Sequence, residues 1–461
     1  MGNWSCSKID PFGGRSYGSV LFFVEKPLVE KRERRYNPYI EPIIPREEEE
    51  IMGGYRGGGY TGSRYRGSRG RSPAVFIIPV VLALLALGLW FGRGLLFPTA
   101  AVEETPEPTP IVTPTPEPTP TPEPMRAKPE AVKGIYVSGP VAGDPYMDKL
   151  IDLIDRTELN AVVIDIKGDE GKVTYRMPEG STPRELGACV RYISDLPALV
   201  EKLKEHDIYT IARIVSFKDP TLAEAKPEYM LRKADGSGVA ESGKLYWVNP
   251  FEQGVRDYLT EIALAAADAG FDEIQMDYVR FPSGKGTGDL DFGPAAEGKE
   301  RTDGVTEFLE ELSQALKEKG VWLSADVFGV VITNRSDGNF LGQDYARMGE
   351  TVDFICPMIY PSHYVAGAFN LDVPDAHPYE TILAALNASQ RALSGVDEET
   401  RAGVRPWLQA FTATWVKGHI PYGGEEVRAQ IQAVYDAGYT EWILWNAQNN
   451  YSDDGLLPAE E

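Results

Sequence analysis

FDEIQMDYVRFP, residues 271–282, is the stretch on which the fold turns. It begins as a buried strand, yet Asp277 and Arg280 stand near its far end. An apolar strand finishing in a carboxylate and a guanidinium suits a strand that runs from a closed core into a polar mouth. Similar segments lie on both sides: GIYVSG (134–139), AVVIDIKG (161–168), YTIARIVSF (209–217), WLSADVFGV (322–330), DFICPMIYP (353–361), RPWLQAF (405–411) and EWILWNA (441–447). Between them, segments such as 195–207, 254–270, 304–320 and 424–438 repeat apolar residues at helical spacing, and several end in Gly.

Eight strand-like runs alternating with helices predict a parallel sheet covered on both faces. Eight units over about 320 residues predict a closed (β/α)8 TIM barrel, of the α/β class. An open doubly wound sheet is the alternative, but no GxGxxG turn follows the first strand.

The rest of the chain divides by composition. Residues 1–72 are polar and rich in Gly and Arg, and read as a disordered tail. Residues 73–92, PAVFIIPVVLALLALGLWFG, carry no charge and are long enough to cross a bilayer as one helix. Residues 93–131 form a Pro/Thr-rich linker, and residues 132–461 form the barrel domain. Five arginines and no acids in residues 52–71 predict a single-pass membrane protein with a cytoplasmic N-terminus and an extracellular barrel. A cleaved signal peptide is the alternative. The Gly/Arg/Tyr tail reads as a basic segment touching anionic lipid, with RNA binding the other option. TPEPTPIVTPTPEPTPTPEP (105–124) favours polyproline II, a spacer of roughly 60 Å.

The net charge of −23 is unevenly placed. Residues 1–71 hold 13 Lys/Arg against 9 Asp/Glu, and the remainder holds 33 against 60. Such an acidic globular part would repel phosphates, so nucleic acid is not its expected partner; a neutral or cationic glycan is compatible with it. Three cysteines and four histidines show no CxxC or HExxH spacing, so neither a metal nor an organic cofactor is expected. GxSxG and P-loop signatures are absent as well.

Polar residues collect at the C-terminal ends of the strand runs, the face where barrels carry their sites. Asp277 and Asp326 sit late on the fourth and fifth strands. Neighbouring strands are about 4.8 Å apart, which allows two inward carboxylates roughly 5–6 Å from each other. That suits retaining glycoside hydrolysis, with Asp277 as nucleophile and Asp326 as acid/base. Asp165 is a third candidate acid. An ion pair of Asp277 with Arg280 or Lys167 is the structural alternative. Asp165, Lys167, Asp169, Arg213, Arg280, Gln409 and Asn446 are expected to contact sugar hydroxyls or orient the site. Trp247, Tyr360, Trp415 and Trp445 are candidate stacking platforms. Substrate-assisted chitinase-type catalysis would need Glu at the position of Val279.

At VVIDIKGDEG (162–171), YWVNPF (246–251), FDEIQMDYVRFP and DFICPMIYPSHY (353–364), the chain resembles a bacterial family of putative glycoside hydrolases. These are (β/α)8 barrels distantly similar to the α-amylase clan. The resemblance spans about residues 132–450 and implies that Asp277 is the active-site carboxylate. It also implies that the IDIKGDEG and MIYP strand ends line the site. Amylase-type barrels place Arg two residues before the nucleophile and Glu on strand five; this chain has Gln275 and Asp326 there. The expectation is therefore a membrane-anchored glycoside hydrolase acting on a cell-surface or extracellular polysaccharide. A non-catalytic glycan-binding module, or a polysaccharide deacetylase or lyase, stands beside it.

Overall fold

The eight apolar runs each form a strand: β1 (Lys133–Val137), β2 (Ala161–Lys167), β3 (Tyr209–Val215), β4 (Glu273–Asp277), β5 (Trp322–Phe328), β6 (Phe354–Met358), β7 (Trp407–Gln409) and β8 (Trp442–Trp445). The computed structural model describes residues 123–241, 245–284 and 286–459. Neighbouring strands pair in parallel from β1 to β8, and β8 pairs back onto β1, so the sheet closes. Closure excludes the open doubly wound alternative. The run 73–92 lies outside the described residues. Among the described residues no helix is long and apolar enough to cross a membrane.

Each strand but the last is followed by a helix: α1 (Tyr146–Asp155), α2 (Leu196–Glu205), α3 (Gln253–Asp268), α4 (Arg301–Glu318), α5 (Tyr345–Thr351), α6 (Pro378–Ala392) and α7 (Gly424–Asp436). Two of these helices start on a capping aspartate. Asp195 accepts the Ala198 N–H at α2, and Asp344 accepts the Arg347 N–H at α5. Among the described residues no helix follows β8. The closing segment is tied to α7 instead, where the Arg428 Nε donates to the Gly455 carbonyl.

Alternation along the strands sorts the core into two parts. Outward residues such as Ile135, Val162, Ile164, Ile274, Leu323, Ile355 and Leu444 pack under the helices. Inward residues fill the barrel: Tyr136, Ala161, Val163, Tyr209, Ile211, Phe354, Cys356, Trp407 and Ile443. At its floor, Arg405 pairs with Glu273 at 2.7 Å and Glu441 at 2.8 Å. The Tyr209 hydroxyl donates to Glu273 at 3.0 Å. This buried network has its charges paired, as a low-dielectric interior demands.

The end of the linker passes under the barrel before entering β1. The Glu123 and Arg126 N–H groups donate to the carbonyls of Glu318 and Gly320, at 3.1 and 2.8 Å. Arg126 reaches the carbonyls of Ala267 and Phe271, Trp322 donates to the Arg126 carbonyl, and Lys128 pairs with Glu441. These partners sit at the N-terminal ends of strands, so the linker approaches from the face opposite the strand tips.

Candidate active site

The site is assembled by β2, β3, β4 and β5, whose inward residues climb through the core and end in charge. On β3, Tyr209 and Ile211 fill the barrel and Arg213 emerges above them. Its guanidinium is the hub. Nη1 lies 2.5 Å from Asp165 Oδ1, while Nη2 and Nε lie 2.5 and 3.0 Å from Asp277 Oδ2. Asp169 Oδ1 is 4.0 Å from Nη2. Burial works against the charge on Arg213, but Asp165 and Asp277 outweigh it and lift its pKa well above the ordinary value.

Asp277 is the last residue of β4, and its Oδ1 accepts the N–H of Tyr278 at 2.5 Å. Tyr278 has φ +48°, in the left-handed region that a non-glycine residue adopts at a cost of order 1 kcal/mol. The strand therefore breaks sharply just after the carboxylate, and the break turns the following chain away. Arg280 is buried instead, 4.3 Å from the Phe328 ring centre and 4.9 Å from that of Trp247.

Asp326 on β5 has the opposite environment. Its side chain is buried, with the residue 1 % exposed. Oδ1 accepts the Trp407 indole N–H at 2.7 Å, and Oδ2 has no hydrogen-bond partner among the described residues. Burial and then the charge of Asp277 push its pKa well above the carboxylate range, only partly offset by the Trp407 hydrogen bond. One carboxyl is thus salt-bridged to a guanidinium, while burial favours the protonated form of its electrostatic neighbour. A buried acid that keeps its proton beside an ion-paired carboxylate is an arrangement suited to acid/base chemistry.

Around this pair, Asp165 accepts the Tyr136 hydroxyl at 2.5 Å, and burial raises its pKa against the pull of Arg213. Tyr136 stacks on Trp445 with ring centres 4.1 Å apart. Trp445 is half-buried at the mouth, and Arg213 lies 5.4 Å from its ring centre. Asp169 keeps 43 % of its side chain exposed, with Lys218 at 3.2 Å. Burial opposes its charge, but Lys218 and Arg213 hold its carboxyl below the usual range.

Several expected sugar contacts are engaged elsewhere. Lys167 is fully buried and pairs with Asp219 at 2.9 Å, so it forms neither a sugar contact nor the ion pair with Asp277. Trp247 is fully buried beneath Arg280, so it belongs to the core and offers no platform. Gln409 accepts from Ser362 N–H and donates to Asp375 and the Phe411 carbonyl, which knots two loops together. Asn446 donates to the carbonyls of Ala410, which follows β7, and of Asn450 in its own turn. Tyr360 is buried beside the acids, edge-on to Phe411 at 6.1 Å. Trp415 stacks on Phe411 at 5.9 Å and is half-buried. Arg213 binds carboxylates, not an open hydroxyl slot. Among the described residues no group of three or more His, Cys, Asp or Glu side chains is placed to hold a metal ion.

Sequence reasoning missed Tyr136, Trp407, Lys218 and Asp219. The first two lie within apolar strand runs, where nothing sets them apart. Their signal was positional, since each shares the inward phase of its strand with a residue nearer the mouth. Lys218 and Asp219 directly follow β3, where barrel loops carry function.

The chain belongs to the family described as "putative glycosyl hydrolase domain", whose sequence pattern matches residues 134–451. Among solved structures it is similar to the glycoside hydrolase domain of PgaB (BpsB) from Bordetella bronchiseptica. The identity there is 15 %, over 70 % of this chain and 97 % of that one, with a TM-score of 0.54. It is also similar to a hypothetical protein from Ruminiclostridium thermocellum, with 36 % identity over 42 % of this chain and 97 % of that one, at a TM-score of 0.38. No curated protein matches the chain. The family membership and the barrel define a glycan-acting class of protein.

Proposed function

We propose that this protein hydrolyses glycosidic bonds of a cell-surface or extracellular polysaccharide, with Asp277 as nucleophile and Asp326 as acid/base. The observation that carries this reading is the contrast between the two acids: Asp277 is bound by Arg213, whereas Asp326 is buried, its pKa raised, with one oxygen unpartnered among the described residues. A neutral carboxyl at pH 7 can protonate a leaving oxygen, whereas a salt-bridged carboxylate can attack carbon.

In the first step Asp326 gives its proton to the glycosidic oxygen as the bond from that oxygen to C1 breaks. The bonding pair leaves with the oxygen, and an Asp277 oxygen forms the new bond to C1. Oδ1, which accepts the Tyr278 N–H, retains a second lone pair for attack. Arg213 stabilises the carboxylate before attack and after release. In the second step water adds to C1, its proton passes to Asp326, and Asp277 leaves. Trp445, backed by Tyr136, offers an apolar face for a sugar ring. The partly exposed Asp169 is placed to accept hydroxyl hydrogen bonds. Acids on adjacent strands support a retaining outcome.

The apolar run 73–92 with its arginine flank supports a membrane anchor, and the Pro-rich spacer supports a barrel held away from the bilayer. Protease added to intact cells should clip residues 105–124 if the barrel is extracellular; protection would reverse the orientation.

A second reading, a glycan-binding barrel without turnover, is favoured by the engagement of both Asp165 and Asp277 on one guanidinium. Reducing-end release from a panel of wall glycans separates the two. The wild type is expected to cleave at least one glycan, and Asp277→Asn and Asp326→Asn are each expected to lose about 1000-fold or more in kcat. Binding by a wild type that releases no reducing ends would favour the second reading.

A further inference from the structure

We propose that Trp407 is a positioning residue that fixes which oxygen of Asp326 carries the catalytic proton. The proposal rests on the reading of Asp326 as the acid. An indole N–H donates and never accepts. It lies 2.7 Å from Asp326 Oδ1, so that oxygen is held as the acceptor. The proton of the neutral carboxyl is thereby assigned to Oδ2, the oxygen with no hydrogen-bond partner among the described residues. Trp407 thus leaves one O–H free to meet a glycosidic oxygen, in a single orientation.

The surroundings of Asp326 give Trp407 this role. Asp277 and Glu273 face it from β4 and Arg213 from β3. Cys356 is its register partner on β6, and Tyr360 follows that strand. The carboxylates and Arg213 act on Asp326 through charge, which does not distinguish its two oxygens as a hydrogen bond does. The backbone is held separately, by Gln343 Nε2 on the Asp326 carbonyl at 3.1 Å. Trp407 itself is fully buried, with its ring edge-on to Trp445 at 5.5 Å and 82°. One side chain therefore touches both the acid and the candidate sugar platform.

The test replaces Trp407 in the full chain with β-(3-benzothienyl)alanine, which keeps the ring shape and exchanges N–H for sulfur. Trp407→Phe is the genetically simple companion. The first readout is a 13C titration of the Asp326 carboxyl, which needs no substrate. A donor on Oδ1 favours the ionised form, so its loss should move the Asp326 midpoint to higher pH. The second readout is the pH profile of kcat on a glycan the wild type cleaves. The isostere should lower kcat about tenfold or more with KM within about twofold, and move the alkaline limb in the same direction as the midpoint. An unchanged midpoint in the isostere would overturn the proposal, as would a normal kcat with a normal pH profile. If the wild type cleaves nothing, the hydrolase reading fails by itself, and the carboxyl titration still decides whether Trp407 governs Asp326. A Trp407→Phe protein that does not fold leaves the isostere to give the answer.

Discussion

At the scale of single residues, the site depends on holding a proton on buried Asp326 beside the Asp277–Arg213 ion pair. The folded protein holds the Asp326 proton above the pH at which an unfolded chain releases it, about 3.9. Stability therefore falls as pH rises from that value towards the raised folded midpoint, by about 1.4 kcal/mol per pH unit. Asn cannot ionise, so Asp326→Asn should be more stable than the wild type, by a margin that widens with pH across this window. Melting temperatures at pH 4, 5.5 and 7 check this, and a margin that does not change with pH would count against a neutral Asp326. Arg213 supplies the complementary test. Arg213→Met leaves Asp165 and Asp277 buried without their shared cation, and should cost about 3–5 kcal/mol in denaturant unfolding. Arg213→Lys should recover part of that cost, because one ammonium cannot reproduce the fork that reaches both carboxylates.

At the scale of strands and loops, the order of elements was plain in the sequence, but their inward phase was not. Parallel strands covered on both faces read as continuous apolar runs, which give position and length. They do not say which alternate residue enters the barrel. Tyr136 and Trp407 consequently do not stand out from their apolar runs, although each touches a site carboxyl. The error also ran the other way. Trp247 looked like a rim aromatic, yet the turn after β4 folds Arg280 over it. Gln409 and Asn446 have the same amides that bind sugars, and only tertiary contacts show that loop carbonyls and N–H groups occupy them. Charge at the strand ends was more legible, because Asp165, Arg213, Asp277 and Asp326 interrupt apolar runs at one end. The loop after β2 offers its own test. Gly171 has φ +72°, and a Cβ there would lie 2.0 Å from Asp219 Oδ1. Gly171→Ala should displace Asp219 from buried Lys167 and cost about 3–5 kcal/mol. An unfolding midpoint equal to that of the wild type would show that the Lys167–Asp219 pair does not hold this loop.

At the scale of the whole barrel, floor and mouth have separate tasks. Glu273, Arg405, Glu441 and Lys128 join strands to the incoming linker at the floor, while the acids gather at the opposite end. Removing residues before Ala131 should thus lower the melting temperature by several degrees and leave kcat unchanged. The barrel was legible from eight periodic runs. The path of the linker was not, because it depends on backbone contacts made by Glu123 and Arg126, which carry no periodic signal. The measurement that bears most directly on the account is a crystal structure of the Asp326→Asn protein soaked with an oligosaccharide that the wild type cleaves. A sugar ring is expected against Trp445, its C1 facing Asp277, and the linking oxygen within hydrogen-bond reach of the residue 326 amide. A glycan bound elsewhere on the barrel, with both acids untouched, would contradict it.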